Sequence, residues 1–173
     1  LQPFSQTTSI VDNLPFDPTK RSMNASGYQH LVDGLSDFNL IHFGAQSIFS
    51  PVYCLPKDVI CLEHLNPNLR FFMALINECD YFIGVETCGH HIARMFNKPA
   101  SILMGGTSEY SLGYTDFKTH KYYRHNDIQP ESFFNCKLSD EFLFNNRNQG
   151  IMDFSNEELD IIINQARIVI NEC

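Results

Sequence analysis

The chain has 173 residues, the size of one ordinary domain, and its 43% hydrophobic and 18% charged content excludes a disordered segment. A formal net charge of −8 with only 12 lysines and arginines argues against a nucleic-acid partner, which would need a basic surface. No apolar run approaches the roughly 20 residues that span a bilayer, and no signal peptide is expected at the start.

In chain order, Leu1 to Phe4 is expected to form a first strand, followed by a polar, proline-containing loop that carries the basic pair Lys20-Arg21. A chain that starts inside a strand is expected to be a domain cut from something longer. Ser26-Gly27-Tyr28-Gln29 fits a capping box, after which Tyr28, Leu31, Val32 and Leu35 recur at helical spacing. Asn39 to Gly44 and Val59 to Leu62 read as short buried strands. Asn66-Pro67 is expected to open a helix whose apolar face is Leu69, Phe72, Met73 and Ile76. Asp80 to Val85 is the next strand, and Cys88 to Phe96 the next helix, ended by Asn97-Lys98-Pro99 because proline disfavours a helical residue before it. Ala100 to Met104 is a further strand with a glycine-rich exit, Gly105-Gly106-Thr107-Ser108.

Periodicity is lost from 109 to 150, which reads as an elaborated surface region with one short helix near Asp140. Ser155-Asn156-Glu157-Glu158 is a second capping box, and Leu159, Ile162, Ile163, Ala166 and Ile170 give the closing helix one apolar face. Strands alternating with helices predict an α/β fold: one Rossmann-like domain over 1–173, a parallel sheet with helices on both faces. The six cysteines have irregular spacing and no C-x-x-C pair, and Cys61, Cys79 and Cys88 fall inside expected elements. Free thiols of a reducing compartment are expected, with no zinc site.

The turn after the Asp80–Val85 strand carries the chemistry. A strand end that passes at once into a helix puts the Glu86 carboxylate, the Thr87 hydroxyl and the first amides of the helix at one rim, where parallel sheets bind anions. Glu86 can accept from sugar hydroxyls, and Thr87 can donate to a phosphate oxygen. Equally, Thr87 can be a plain N-cap and Glu86 a charge on the helix dipole. His90 and His91 lie about 100° apart on the helix, so both cannot face the cleft. His91 is the candidate phosphate donor, a structural role being the alternative. Adjacent histidines are a poor metal motif, and no metal is expected. Gly105, Gly106 and Thr107 form a loop that lets backbone approach a ligand. Lys20 and Arg21 can close over a diphosphate, or remain a solvated basic pair.

The run Gly84-Val85-Glu86-Thr87-Cys88-Gly89-His90-His91-Ile92-Ala93, with Lys98-Pro99-Ala100-Ser101-Ile102-Leu103-Met104-Gly105-Gly106-Thr107 behind it, resembles the C-terminal nucleotide-binding domain of family 9 glycosyltransferases, which include lipopolysaccharide heptosyltransferases. The family pattern is a strand ending in Asp-Ser/Thr-Gly-x-x-His, then a Lys-Pro, a strand and a Gly-x-Thr loop. The resemblance implies the donor half of a two-Rossmann-domain (GT-B) enzyme. Its N-terminal acceptor half, which supplies the catalytic base and meets the glycan or glycolipid acceptor, is absent from this chain, so little transfer is expected from it alone. By the same resemblance Glu86 positions the donor sugar. Thr87, the amides of Cys88 and Gly89, His91 and the Gly105-Gly106-Thr107 loop hold the donor diphosphate, with Arg21 or Lys20 assisting. No cofactor is implied: the nucleoside-diphosphate sugar, heptose or another, is substrate. A cytoplasmic location is implied, with the membrane surface as a variant of it. Three departures stand out: Glu86 replaces Asp, Cys88 replaces Gly, and the first loop lacks the family's Thr-Thr-x-x-x-Lys pattern. The alternative is a non-catalytic nucleotide-binding or interaction module of the same fold.

Overall fold

Phe82–Val85 and Ala100–Met104 are buried at every position, as strands covered on both faces must be. They lie at the centre of a computed structural model that describes residues 1–2, 9–11, 14–16, 22–43, 59–62, 68–105, 119–124 and 153–172. The elements are β1 (Ser9–Val11), β2 (Leu14–Phe16), α1 (Ala25–Gly34), β3 (Leu40–His42), β4 (Val59–Cys61) and α2 (Leu69–Glu78). They continue with β5 (Phe82–Val85), α3 (Cys88–Met95), β6 (Ala100–Met104), β7 (His120–Arg124) and α4 (Asn156–Glu172). The expected helix near Asp140 lies outside the described residues.

β5, β6 and β7 form a parallel sheet in that order, and β3 pairs with β4, also in parallel. Leu1 and Gln2 join the two. The Leu1 nitrogen donates to the Ile41 carbonyl (2.7 Å) and the Phe43 amide to the Leu1 carbonyl (2.8 Å). On the other side the Gln2 amide donates to Ile83 (2.9 Å) and the Val85 amide to Gln2 (3.0 Å), a parallel bridge between Gln2 and Gly84. The resulting order is β4–β3–(1–2)–β5–β6–β7. The chain runs outward on one side of residues 1–2 and then returns to run outward on the other, an order compatible with a Rossmann-like sheet.

Side chains alternate across the sheet with period two and so divide the core. Ile83, Val85 and Leu103 face α1 and α4, where Tyr28, Leu31, Leu35, Leu159, Ile162 and Ile163 pack. Phe82, Ala100, Ile102 and Met104 face α2 and α3 through Phe72, Ile76, Ile92 and Ala93. Each of the larger aliphatic side chains contributes about 1.5–3 kcal/mol by leaving water, so neither layer is dispensable.

Helix ends follow local chemistry. The capping box at Ser155 forms: the Ser155 amide donates to Glu158 (2.7 Å) and the Glu158 amide to the Ser155 hydroxyl (3.3 Å). The box expected at Ser26 does not cap. Asn24 caps α1 by accepting from the Gly27 amide at 2.6 Å, and the Ser26 hydroxyl instead donates to the same Asn24 oxygen. Asparagine is as good a cap as serine and stands one residue before the helix. Likewise Asn68, not Asn66, caps α2, through the Phe71 amide (3.0 Å). α3 closes with Asn97 in the left-handed region (φ 54°), the Lys98 amide reaching Ala93 and the Asn97 amide reaching Arg94. That is a Schellman closure with asparagine in glycine's usual place.

Two strand regions depart from the sequence reading. β1 and β2 pair antiparallel inside the loop read as irregular. β7 lies in the stretch read as surface elaboration, and its sequence His-Lys-Tyr-Tyr-Arg lacks the apolar run of its neighbours because it is the edge of the described sheet. No helix among the described residues is long and apolar enough to cross a membrane.

Candidate functional site at the β5–α3 junction

Strand order reverses between residues 1–2 and β5, and in open α/β sheets it is at the carboxyl ends of the strands flanking such a reversal that ligands are received. Glu86 and Thr87 follow β5 there, and the register that pairs Val85 with Leu103 brings Gly105, just after β6, to the same rim. The junction therefore gathers Glu86, Thr87, Cys88, Gly89, His91 and Gly105. Gly106, Thr107, Lys20 and Arg21 lie outside the described residues.

These groups differ in access. Cys88 and His91 are exposed and Thr87 is half-buried, whereas Glu86 is only 7% exposed. The sequence reading expects Glu86 and Thr87 to face an open hollow, and the carboxylate is instead largely covered. Thr87 is the N-cap residue of α3, but its side chain caps no amide. Its hydroxyl instead donates toward the Gln2 side-chain carbonyl (2.8 Å), with the Val85 carbonyl a longer second acceptor (3.3 Å). Gly89, in the first turn, is needed for this arrangement: a Cβ there would collide with Gln2 Oε1 and lie 2.9 Å from the Phe82 ring and 3.0 Å from the Phe72 ring. Cys88, which stands where the family pattern has glycine, is exposed. Partial burial raises its thiol pKa, and so favours the neutral form.

The two histidines divide as helix geometry requires. His90 is fully buried against β7, its Nε2 3.1 Å from the Tyr122 hydroxyl and its ring 5.6 Å from that of His120. Burial, reinforced by the positive charges available to His91, His120 and Arg94, lowers its pKa to about 3. His90 is thus neutral and structural. His91, 4.8 Å away ring to ring, is the one that meets solvent.

Gln2 is a component that the sequence reading missed. The available signal was a polar residue inside a strand otherwise read as buried, Leu1 to Phe4. No family model, no curated protein and no solved structure matches the chain.

A cavity of about 370 Å³ lies elsewhere, toward the amino ends of β3 and β5, lined among others by Leu1, Phe38, Leu40, Cys79, Tyr81 and Ile170. None of Glu86, Thr87 and His91 borders it, so it is not the expected donor site. Among the described residues no group of three or more His, Cys, Asp or Glu side chains is placed to hold a metal ion. Cys79 and Cys88 are free thiols.

Proposed function

We propose that this domain binds the diphosphate of a nucleotide-sugar at the β5–α3 junction and is the donor half of a GT-B, heptosyltransferase-like glycosyltransferase. The observation that carries the reading is the reversal of strand order beside β5, with the first turn of α3 following β5 at once and placing a carboxylate, a hydroxyl and an exposed imidazole within six residues. A helix start favours an anion by its unsatisfied amides and its dipole. The run from Gly84 to Ala93 and the Lys98-Pro99 strand behind it support the same family.

In that enzyme an acceptor hydroxyl, deprotonated by a base from the other half, bonds to the anomeric carbon as the bond to the diphosphate oxygen breaks. The leaving diphosphate takes the electron pair. The Cys88 and Gly89 amides, Thr87 and His91 meet the charge that grows on it, and by the family resemblance Lys20 or Arg21 assists. Glu86 orients the sugar, and its side chain, one methylene longer than the family's aspartate, bears on which sugar is taken, heptose or another.

Calorimetric titration of the chain with a panel of nucleoside diphosphates tests the reading. Thr87→Ala and His91→Ala are each expected to weaken the best ligand about tenfold, the worth of one good phosphate contact. Unchanged affinity in both variants overturns the assignment. A second reading, a non-catalytic interaction module of the same fold, is favoured by the covered Glu86 and the engaged Thr87 hydroxyl. It predicts no binding to any member of the panel by a folded chain.

A further inference from the structure

Gln2 is 1% exposed, and among the described residues its Nε2 has no hydrogen-bond partner, although its Oε1 receives the Thr87 hydroxyl at 2.8 Å. A buried N–H donor without a partner is rarer in proteins than an under-satisfied carbonyl. The other end of the same carboxamide, Oε1, lies against Gly89 in the first turn of α3, where the missing Cβ leaves room for it. The Thr87 hydroxyl, for its part, has one proton. While it donates to Gln2 it cannot also donate to a phosphate.

We propose that Gln2 is a positioning residue whose carboxamide turns over when a phosphate-bearing ligand reaches the β5–α3 junction. Thr87 then gives its proton to a phosphate oxygen, and Gln2 Nε2 donates to the Thr87 oxygen from the place Oε1 held. Turning the terminal amide exchanges oxygen and nitrogen with almost no change of shape, so the packing against Gly89 is kept. The exchange gives the stranded donor a partner, leaves a carbonyl in its former place, and polarises the Thr87 hydroxyl toward the anion. Without a ligand, the same pair holds the hydroxyl proton turned inward. The inference rests on phosphate binding at this junction.

The test uses the whole chain, the diphosphates ADP, GDP, UDP and CDP, and the variants Gln2→Glu and Gln2→Met. A carboxylate can only accept, so Gln2→Glu is expected to bind at least about tenfold more weakly than Gln2→Met at about pH 8. The gap should close as the pH falls and the acid gains a proton it can donate. Equal affinities, or a gap independent of pH, overturn the relay. Nitrogen-15 NMR of the wild-type Gln2 side chain gives a readout that survives misfolding of either variant. Its amide signals are expected to shift on saturation with the tightest diphosphate, and unmoved signals overturn the relay while leaving diphosphate binding intact. A folded wild-type chain that binds none of the four overturns both the relay and the donor-site reading.

Discussion

Both faces of the sheet bury histidine, His42 on one and His90 with His120 on the other, and of these only His90 belongs to the junction helix. On the α1/α4 face His42 is held by the Tyr28 hydroxyl at 2.8 Å to Nδ1, within an otherwise hydrophobic layer. On the α2/α3 face His90 rests on Tyr122, but it is also the third residue of α3, one position from His91 and next to Gly89. Both are kept neutral by burial, with pKa values lowered to about 3. The same physical device thus serves packing alone on one face and fixes the start of α3 on the other.

Acid should expose this difference most strongly. The unfolded state takes up a proton on each histidine near pH 6.5, while the folded state resists until about 3. Stability is therefore complete above about pH 6.5 and falls as the pH drops through that window. The loss is about 2 kcal/mol per histidine by pH 5, roughly 4 kcal/mol for the two together. Denaturant titrations from pH 8 to 4 should show His42→Leu and His90→Leu each removing about half of this slope. Only His90→Leu should also change diphosphate affinity. Equal binding effects from the two would break the distinction between the faces.

Truncation in the shared strand comes next. Ile102 and Leu103 are adjacent, fully buried, and point to opposite layers, so Ile102→Ala and Leu103→Ala should each cost about 3 kcal/mol. A value below about 1 kcal/mol for either, from urea unfolding, would mean that its layer contributes little. Gly89→Ala should cost about 2 kcal/mol by overpacking against Gln2, Phe82 and Phe72. Its loss of diphosphate affinity should exceed that of Gly34→Ala on the opposite face, where the new methyl meets the movable end of Ile163. The smallest effect is expected at Ser155→Ala, about 1 kcal/mol from the lost cap of α4, with binding unchanged.

The sequence made most of this architecture readable because β5 and β6 are continuous apolar runs and the helices repeat at 3.6 residues. Boundaries were less readable where two capping residues compete, as Asn24 and Ser26 do. β7 was invisible because an edge strand such as His120–Arg124 has no unbroken apolar signature, and its partner β6 defines it only in three dimensions. At the junction, residue types and spacing identified Glu86, Thr87 and His91 as neighbours on one rim. They could not tell that Glu86 would be covered or that Thr87 would turn to Gln2. That pairing spans 85 positions, and no local pattern encodes it.

The seam formed by Leu1 and Gln2 has a kinetic corollary. The β3–β4 pair and the β5–β7 group present facing edges that, among the described residues, Leu1 and Gln2 stitch together, through partners some 40 and 80 positions along the chain. Such distant closures are slow, and until they occur each half displays unsatisfied backbone to any strand it meets. Contact order therefore predicts late assembly of the central sheet, with both edges open to strand pairing until it occurs.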